Sequence, residues 1–277
     1  MAKILDGYAF VQVNTFGVIQ QTDKERFKEY SKLLKKFILL LDLFRTYRNV
    51  NIQFSSLATL MSKYDDGKID PNTVFNISES SMTAYILMHR MFVDNCKSFQ
   101  RKFENTNVSK LIIDLQNKST EKNMKVLRDY AMHTSIPMSQ VGINTSINYK
   151  IDSKQRFHST LHVMINADRM NTHDLSDFDR KVIKEWKDDR LDITDEIKTA
   201  WRNLTIFAKK VFKDYLNMWV DDNLRQLVIL DRKLWKEKLI PLKTTGIVYQ
   251  PQNGIPQDNV LIDYDALAYF IECILNE

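Results

Sequence analysis

Glycine and proline are scarce in this chain, with six and five in 277 residues. A sandwich or barrel of many short strands needs a turn roughly every 8–12 residues, so the shortage argues against those folds and for long helices. Cysteine is scarcer still. Cys96 and Cys273 stand far apart without metal-ligand spacing, which suits reduced core thiols and not a disulfide framework. The longest apolar run, FILLLDLF, is interrupted by Asp42 and too short to span a bilayer. The opening MAKILDGYAFVQV carries charge inside its apolar run and does not read as a signal peptide. A Walker-type phosphate loop, GxGxxG, GxSxG and HExxH are absent. These features predict a soluble cytoplasmic protein with no cofactor, no metal site and no membrane attachment.

What is present is a hydrophobic fraction of 44%, including 11% aromatics, ample for a core. Forty basic residues against 35 acidic give a net charge of +5 and a pI near 8.9, a mixed surface with a mild preference for anions. Helical periodicity is strong from Thr22 to about Asn49, followed by a shorter amphipathic helix, NIQFSSLATLMSKY, that ends at Asp65-Asp66-Gly67. A second long helix is expected from about Ser80 to Phe103, and SKLIIDLQNK and TEKNMKVLRDYAMHT read as two more, the latter capped by Thr120 and stopped by Pro137. The first twenty residues alternate loosely, as one or two strands do.

After Pro137 the texture changes. VGINTSINYKIDSKQRFHSTLHVMIN alternates with period two around Asp152-Ser153-Lys154 and predicts a β-hairpin. Helices resume with DFDRKVIKEWKDD, a long segment from Asp192 to Trp219 and a stretch reaching Leu239. Short extended pieces follow, then a terminal helix in YDALAYFIECILNE. The expected fold is mainly α, α+β overall, divided into a helical region 1–137 and an accessory region 138–277.

One stretch carries chemistry: KVLRDYAMHTSIP. At 100° per residue, Arg128, Asp129 and His133 fall within about 140° of one another, opposite Met124, Leu127, Tyr130, Ala131 and Thr134, which should face the core. Asp129 and His133 are an i,i+4 pair, and His133 sits in the last turn, where the helix dipole favours a protonated imidazole. An Arg five to seven residues before a His occurs twice in the chain, a pairing that chance can supply, so spacing alone decides nothing.

Context adds more. LRDYAMH, late in a helical region, resembles the signature of the HEPN superfamily, an Arg followed by a polar residue and, after a short interval, a His. The resemblance extends over the stretch from Thr22 to Pro137, and it implies a HEPN-like helical bundle. It also implies a metal-independent endoribonuclease, a toxin or abortive-infection effector, acting as a homodimer on RNA. A regulatory partner or antitoxin would restrain it. In that scheme His133 is the acid/base, Arg128 holds the phosphate, and Asp129 orients one of them. Asp94 or Asn95 on the earlier helix would support the motif. The alternative is a non-catalytic HEPN-like module that binds RNA, nucleotide or protein.

Other clusters read as ordinary structure. Arg156, His158 and His162 share one face of the predicted hairpin, a solvated face whose functional version is contact with RNA phosphates. The two histidines alone make half a zinc site, and no Cys or third His stands near them in sequence. His89 and Arg90 read as exposed helix polarity. Trp201, Phe207 and Tyr215, interleaved with Lys198, Arg202, Lys209, Lys210 and Lys213, read as a core stripe with a solvated face.

Overall fold

The structure is a computed structural model, which describes residues 7–12, 17–22, 24–65, 71–132, 138–147, 157–173, 175–219, 245–250 and 258–262. It is mainly helical, with α1 at Lys24–Asp65, α2 at Pro71–Lys102, α3 at Thr106–Gln116, α4 at Ser119–Ala131, α5 at Asp177–Lys184 and α6 at Ile193–Trp219. Among the described residues seven strands accompany them: β1 (Gly7–Gln12), β2 (Gly17–Thr22), β3 (Met138–Ile147), β4 (Phe157–Asn166), β5 (Arg190–Asp192), β6 (Thr245–Gln250) and β7 (Asp258–Ile262). Among the described residues no helix is long and apolar enough to cross a membrane.

The expected break in the first helix does not occur, and α1 runs unbroken for 42 residues. Its buried positions explain why. Leu43, Val50, Leu57 and Leu60 are buried and Tyr47 and Phe54 half-buried, so the apolar stripe passes straight through Arg48–Asn51. No Gly or Pro interrupts it. α2 starts at Pro71, nine residues before the expected Ser80, with proline in the first helical position where its missing N–H costs nothing. The expected cap of α4 is also displaced. Lys118 is the capping residue, without a side-chain hydrogen bond, and Thr120 is buried inside the first turn. The helix predicted to reach Leu239 and the terminal helix lie outside the described residues.

The chain divides into two compact units, residues 1–44 with 211–277, and residues 45–210. This division differs from the one expected at residue 137. In the first unit the strands form one antiparallel sheet in the order β2-β1-β6-β7. β1 pairs with β6 from Gly7↔Gln250 to Gln12↔Thr245, so the two ends of the chain belong to one sheet. The helical part of this unit buries Leu40, Leu41, Leu43 and Phe44 together with Val211, Phe212, Tyr215 and Leu216. Phe44 and Phe212 meet edge to face at 5.6 Å.

The second unit packs α2 to α5 with the second part of α1 and the first part of α6. α1 and α6 pass in opposite senses: Tyr47 Oη donates to Thr205 Oγ1 at 3.3 Å, and one turn further along Trp201 Nε1 donates to Asn51 Oδ1 at 2.9 Å. Phe54 stacks on Trp201 at 4.2 Å. The basic residues Arg202, Lys209 and Lys210 are exposed while Phe207 is buried, as a core stripe with a solvated face requires. The predicted hairpin is present as β3–β4, and β5 extends it to a three-stranded antiparallel sheet. Val163 and Ile165 are buried and His162 and Met164 half-buried, in keeping with the expected alternation. Asp188 and Asp189, with φ of 53° and 54°, turn the chain into β5. Aspartate tolerates this left-handed region better than most residues.

Phe92 is fully buried on α2, with ring contacts to Tyr47 of α1 at 5.5 Å and Phe207 of α6 at 6.3 Å. Phe92→Ala should therefore cost about 3–5 kcal/mol in urea denaturation. A loss under about 1 kcal/mol would show that these three helices do not close on one another as described.

Candidate functional site around the end of helix α4

Helix α4 carries Arg128 and Asp129, and its burial follows the sequence pattern. Met124, Leu127 and Tyr130 are buried, and Tyr130 Oη accepts the backbone N–H of Asn171 at 3.3 Å. Arg128 and Asp129 are half-buried on the other side. Two further residues, Glu121 and Asn123, are buried although polar. Asn123 is satisfied on both sides, accepting from Trp186 Nε1 at 3.0 Å and donating to Glu196 Oε1 at 2.9 Å.

Arg128 and Asp129 are members of a chain of ion pairs. Arg128 Nε lies 3.0 Å from Asp129 Oδ1, off the line of its N–H, and Arg128 Nη2 lies 3.8 Å from Asp94 Oδ2 on α2. Asp94 also meets Arg90 at 3.5 Å and Lys97 at 3.0 Å. On the other side Asp129 accepts from Lys125 Nζ at 2.8 Å, and the same ammonium reaches Asp179 of α5 at 2.7 Å. Lys125 lies 5.0 Å from the centre of the Phe178 ring, adding a cation–π contact. Of the two α2 residues expected to support the motif, Asp94 meets Arg128, and Asn95 follows it, half-buried. His133 lies outside the described residues.

Lys125 and Asp179 were not singled out in the sequence. Burial alone would lower the ammonium of Lys125, but the hydrogen bonds to Asp129 and Asp179 outweigh it and raise it above the ordinary lysine value. Burial likewise works against the Asp179 carboxylate. The bonds from Lys125 and Ser176 prevail and hold it below the ordinary range. Ser176 caps α5, accepting the N–H of Asp179 at 3.2 Å while its hydroxyl donates to Asp179 Oδ2. Serine three residues before an aspartate at a helix start was the readable signal for part of this arrangement.

His89 and Arg90 are corrections. They read as exposed polarity, but both are buried on α2. His89 Nε2 lies 3.1 Å from Glu121 Oε1 of α4, out of line for a hydrogen bond, and Tyr85, also buried, flanks the imidazole at 5.8 Å. Burial, then the charge of Glu121, raise the Tyr85 phenol well above its ordinary value. The helical stripe Tyr85, His89, Phe92, Cys96 contains His89 at a core position, which the residue's polarity obscured.

Of the hairpin residues, Arg156 lies outside the described residues, and His158 is described only by its backbone. Four residues apart on one strand, His158 and His162 are about 13 Å apart along β4. His162 Nδ1 instead meets Asp192 Oδ2 at 2.5 Å.

The Lys125–Asp179 pair sets an acid dependence. The unfolded chain takes up the Asp179 proton near pH 3.9, before the folded chain does, so the stability from Asp179 is present above that value and fades as pH falls through the lower folded one. Urea midpoints followed down from about pH 6 to about pH 3 should fall less steeply in Asp179→Asn than in wild type. Equal slopes would remove Asp179 from the acid response.

No protein-family model, curated protein or solved structure matches the chain.

Proposed function

We propose that the protein is a homodimeric, metal-independent endoribonuclease of HEPN type, acting in the cytoplasm as a toxin or abortive-infection effector. The observation that carries this reading is the setting of Arg128. Its side chain is 32% exposed on the last turn of α4, beside its motif companion Asp129 and tethered from α2 by Asp94. A contact of 3.8 Å to a half-exposed carboxylate is weak, so an RNA phosphate that takes two guanidinium N–H bonds displaces it at little cost.

In this reading His133 accepts the proton of a ribose 2′-OH, whose oxygen attacks the adjacent phosphorus. The 5′-oxygen of the next nucleotide leaves with a proton from a second acid, which the partner copy's motif supplies. Arg128 neutralises the charge that builds on the phosphate oxygens, and Asp129 keeps Arg128 in place. The products are a 2′,3′-cyclic phosphate and a 5′-hydroxyl. A regulatory partner or antitoxin would act by covering this surface.

A non-catalytic binding module is the second reading, and one observation favours it. Arg128 and Asp129 are already engaged in ion pairs that link α2, α4 and α5, a role they can fill without any substrate.

Purified protein incubated with mixed RNAs in EDTA should yield cyclic-phosphate ends. His133→Ala should lower the rate roughly 10²–10⁴-fold and Arg128→Ala by a similar order. Cleavage that survives both substitutions would end the nuclease assignment of this motif, and a strict monomer without cleavage would favour the binding module.

A further inference from the structure

We propose that His162, Asp192 and Asp195 form a binding site for one divalent transition-metal ion of the zinc or manganese kind. No Cys or third His stands near the two histidines of the hairpin in sequence. The fold supplies other ligands. β5 pairs with β4 so that Met164 faces Asp192, which sets Asp192 diagonally beside His162 on the same face of the sheet. The chain then enters α6, whose first turn brings Asp195 to the same place. One imidazole nitrogen and two carboxylate oxygens, one from each residue, lie within 4.8 Å of one another. Donors around a tetrahedral zinc ion at ordinary bond lengths are about 3.3 Å apart, so small side-chain rotations close the group on an ion. A mixed set of one nitrogen and two oxygens suits Zn²⁺ or Mn²⁺ and leaves positions for water.

The donors are held in place. Asp192 Oδ1 accepts the backbone N–H groups of Thr194 at 3.0 Å and Asp195 at 3.3 Å, and Thr194 Oγ1 accepts the N–H of Val163 at 3.1 Å. The residue next to His162 is therefore bonded to the start of α6, and Asp192 Oδ2 is turned toward the imidazole.

Glu196 follows Asp195 on α6. Its Oε1 accepts from Asn123, and its Oε2 is buried without a hydrogen-bond partner. Two features oppose a cation. The N-terminus of α6 is the positive end of its dipole, and Lys198 lies 3.6 Å from Asp195. Asp195 is 62% exposed in that pair, so the lysine is screened and readily displaced. An ion takes the imidazole in its neutral form, so binding weakens in acid.

The site does not rest on the ribonuclease reading, because metal binding is measured without RNA. The full chain, stripped with EDTA and dialysed, is titrated with Zn²⁺ by calorimetry and with Co²⁺ by its visible absorption. One saturable site per chain is expected, with proton release, and His162→Gln and Asp195→Asn should each weaken it by at least about tenfold. Neither variant removes the Asp192 cap of α6, and circular dichroism checks their fold. Lys198→Met keeps all three donors and should tighten binding. Absence of saturable binding in the wild type overturns the proposal. So does wild-type affinity in folded His162→Gln or Asp195→Asn, since either result would put the ion elsewhere.

Discussion

Helix α4 can bury its polar face only because charges on two other helices meet it. Lys125 answers Asp179 of α5, Arg128 answers Asp94 of α2, and Asp129 stands between the two cations. Buried or half-buried charges are costly alone, and removing one member strands its neighbours. The same logic holds deeper in the unit, where Glu121 stands against His89 and Asn123 links Trp186 to Glu196. The position of Arg128 is therefore a property of three helices, and the chemistry assigned to it depends on that scaffold.

Such a scaffold has two physical consequences. A guanidinium held by carboxylates has less conformational freedom to lose when it meets an anion, which favours binding. The same carboxylates repel that anion, so affinity for the proposed RNA substrate would come from bidentate geometry and from neighbouring cations more than from net charge. The overall charge of +5 supplies only a mild attraction.

Local periodicity made much of the fold legible. The buried side of α4, the β3–β4 hairpin, the extent of α6 and the late extended segments all follow from patterns within a few residues. Long-range pairing was not legible. Nothing near Gly7 announces Gln250, and nothing near His162 announces Asp192, because strand register over such distances is decided by the whole core. Burial of polar residues was equally hidden. His89 looks solvated until α4 brings Glu121 to it, and Arg90 is buried although its partner Asp94 lies one turn along the same helix. The Arg128–Asp129 pair was legible as a motif, whereas Lys125 and Asp179, distant in sequence, were not.

The sheet that joins β1 to β6 also bears on how the chain is made. Its central pairing closes a loop of more than two hundred residues, at an entropy cost of roughly 5 kcal/mol. Residues 45–210 are continuous and leave the ribosome together, so that unit can form while the first strand still lacks its neighbour. Until the last segment emerges, the β1–β2 hairpin presents an open strand edge, the kind of surface that recruits another chain. Premature termination anywhere before Thr245 leaves that edge permanently unsatisfied, which makes truncated products of this protein candidates for aggregation and rapid proteolysis.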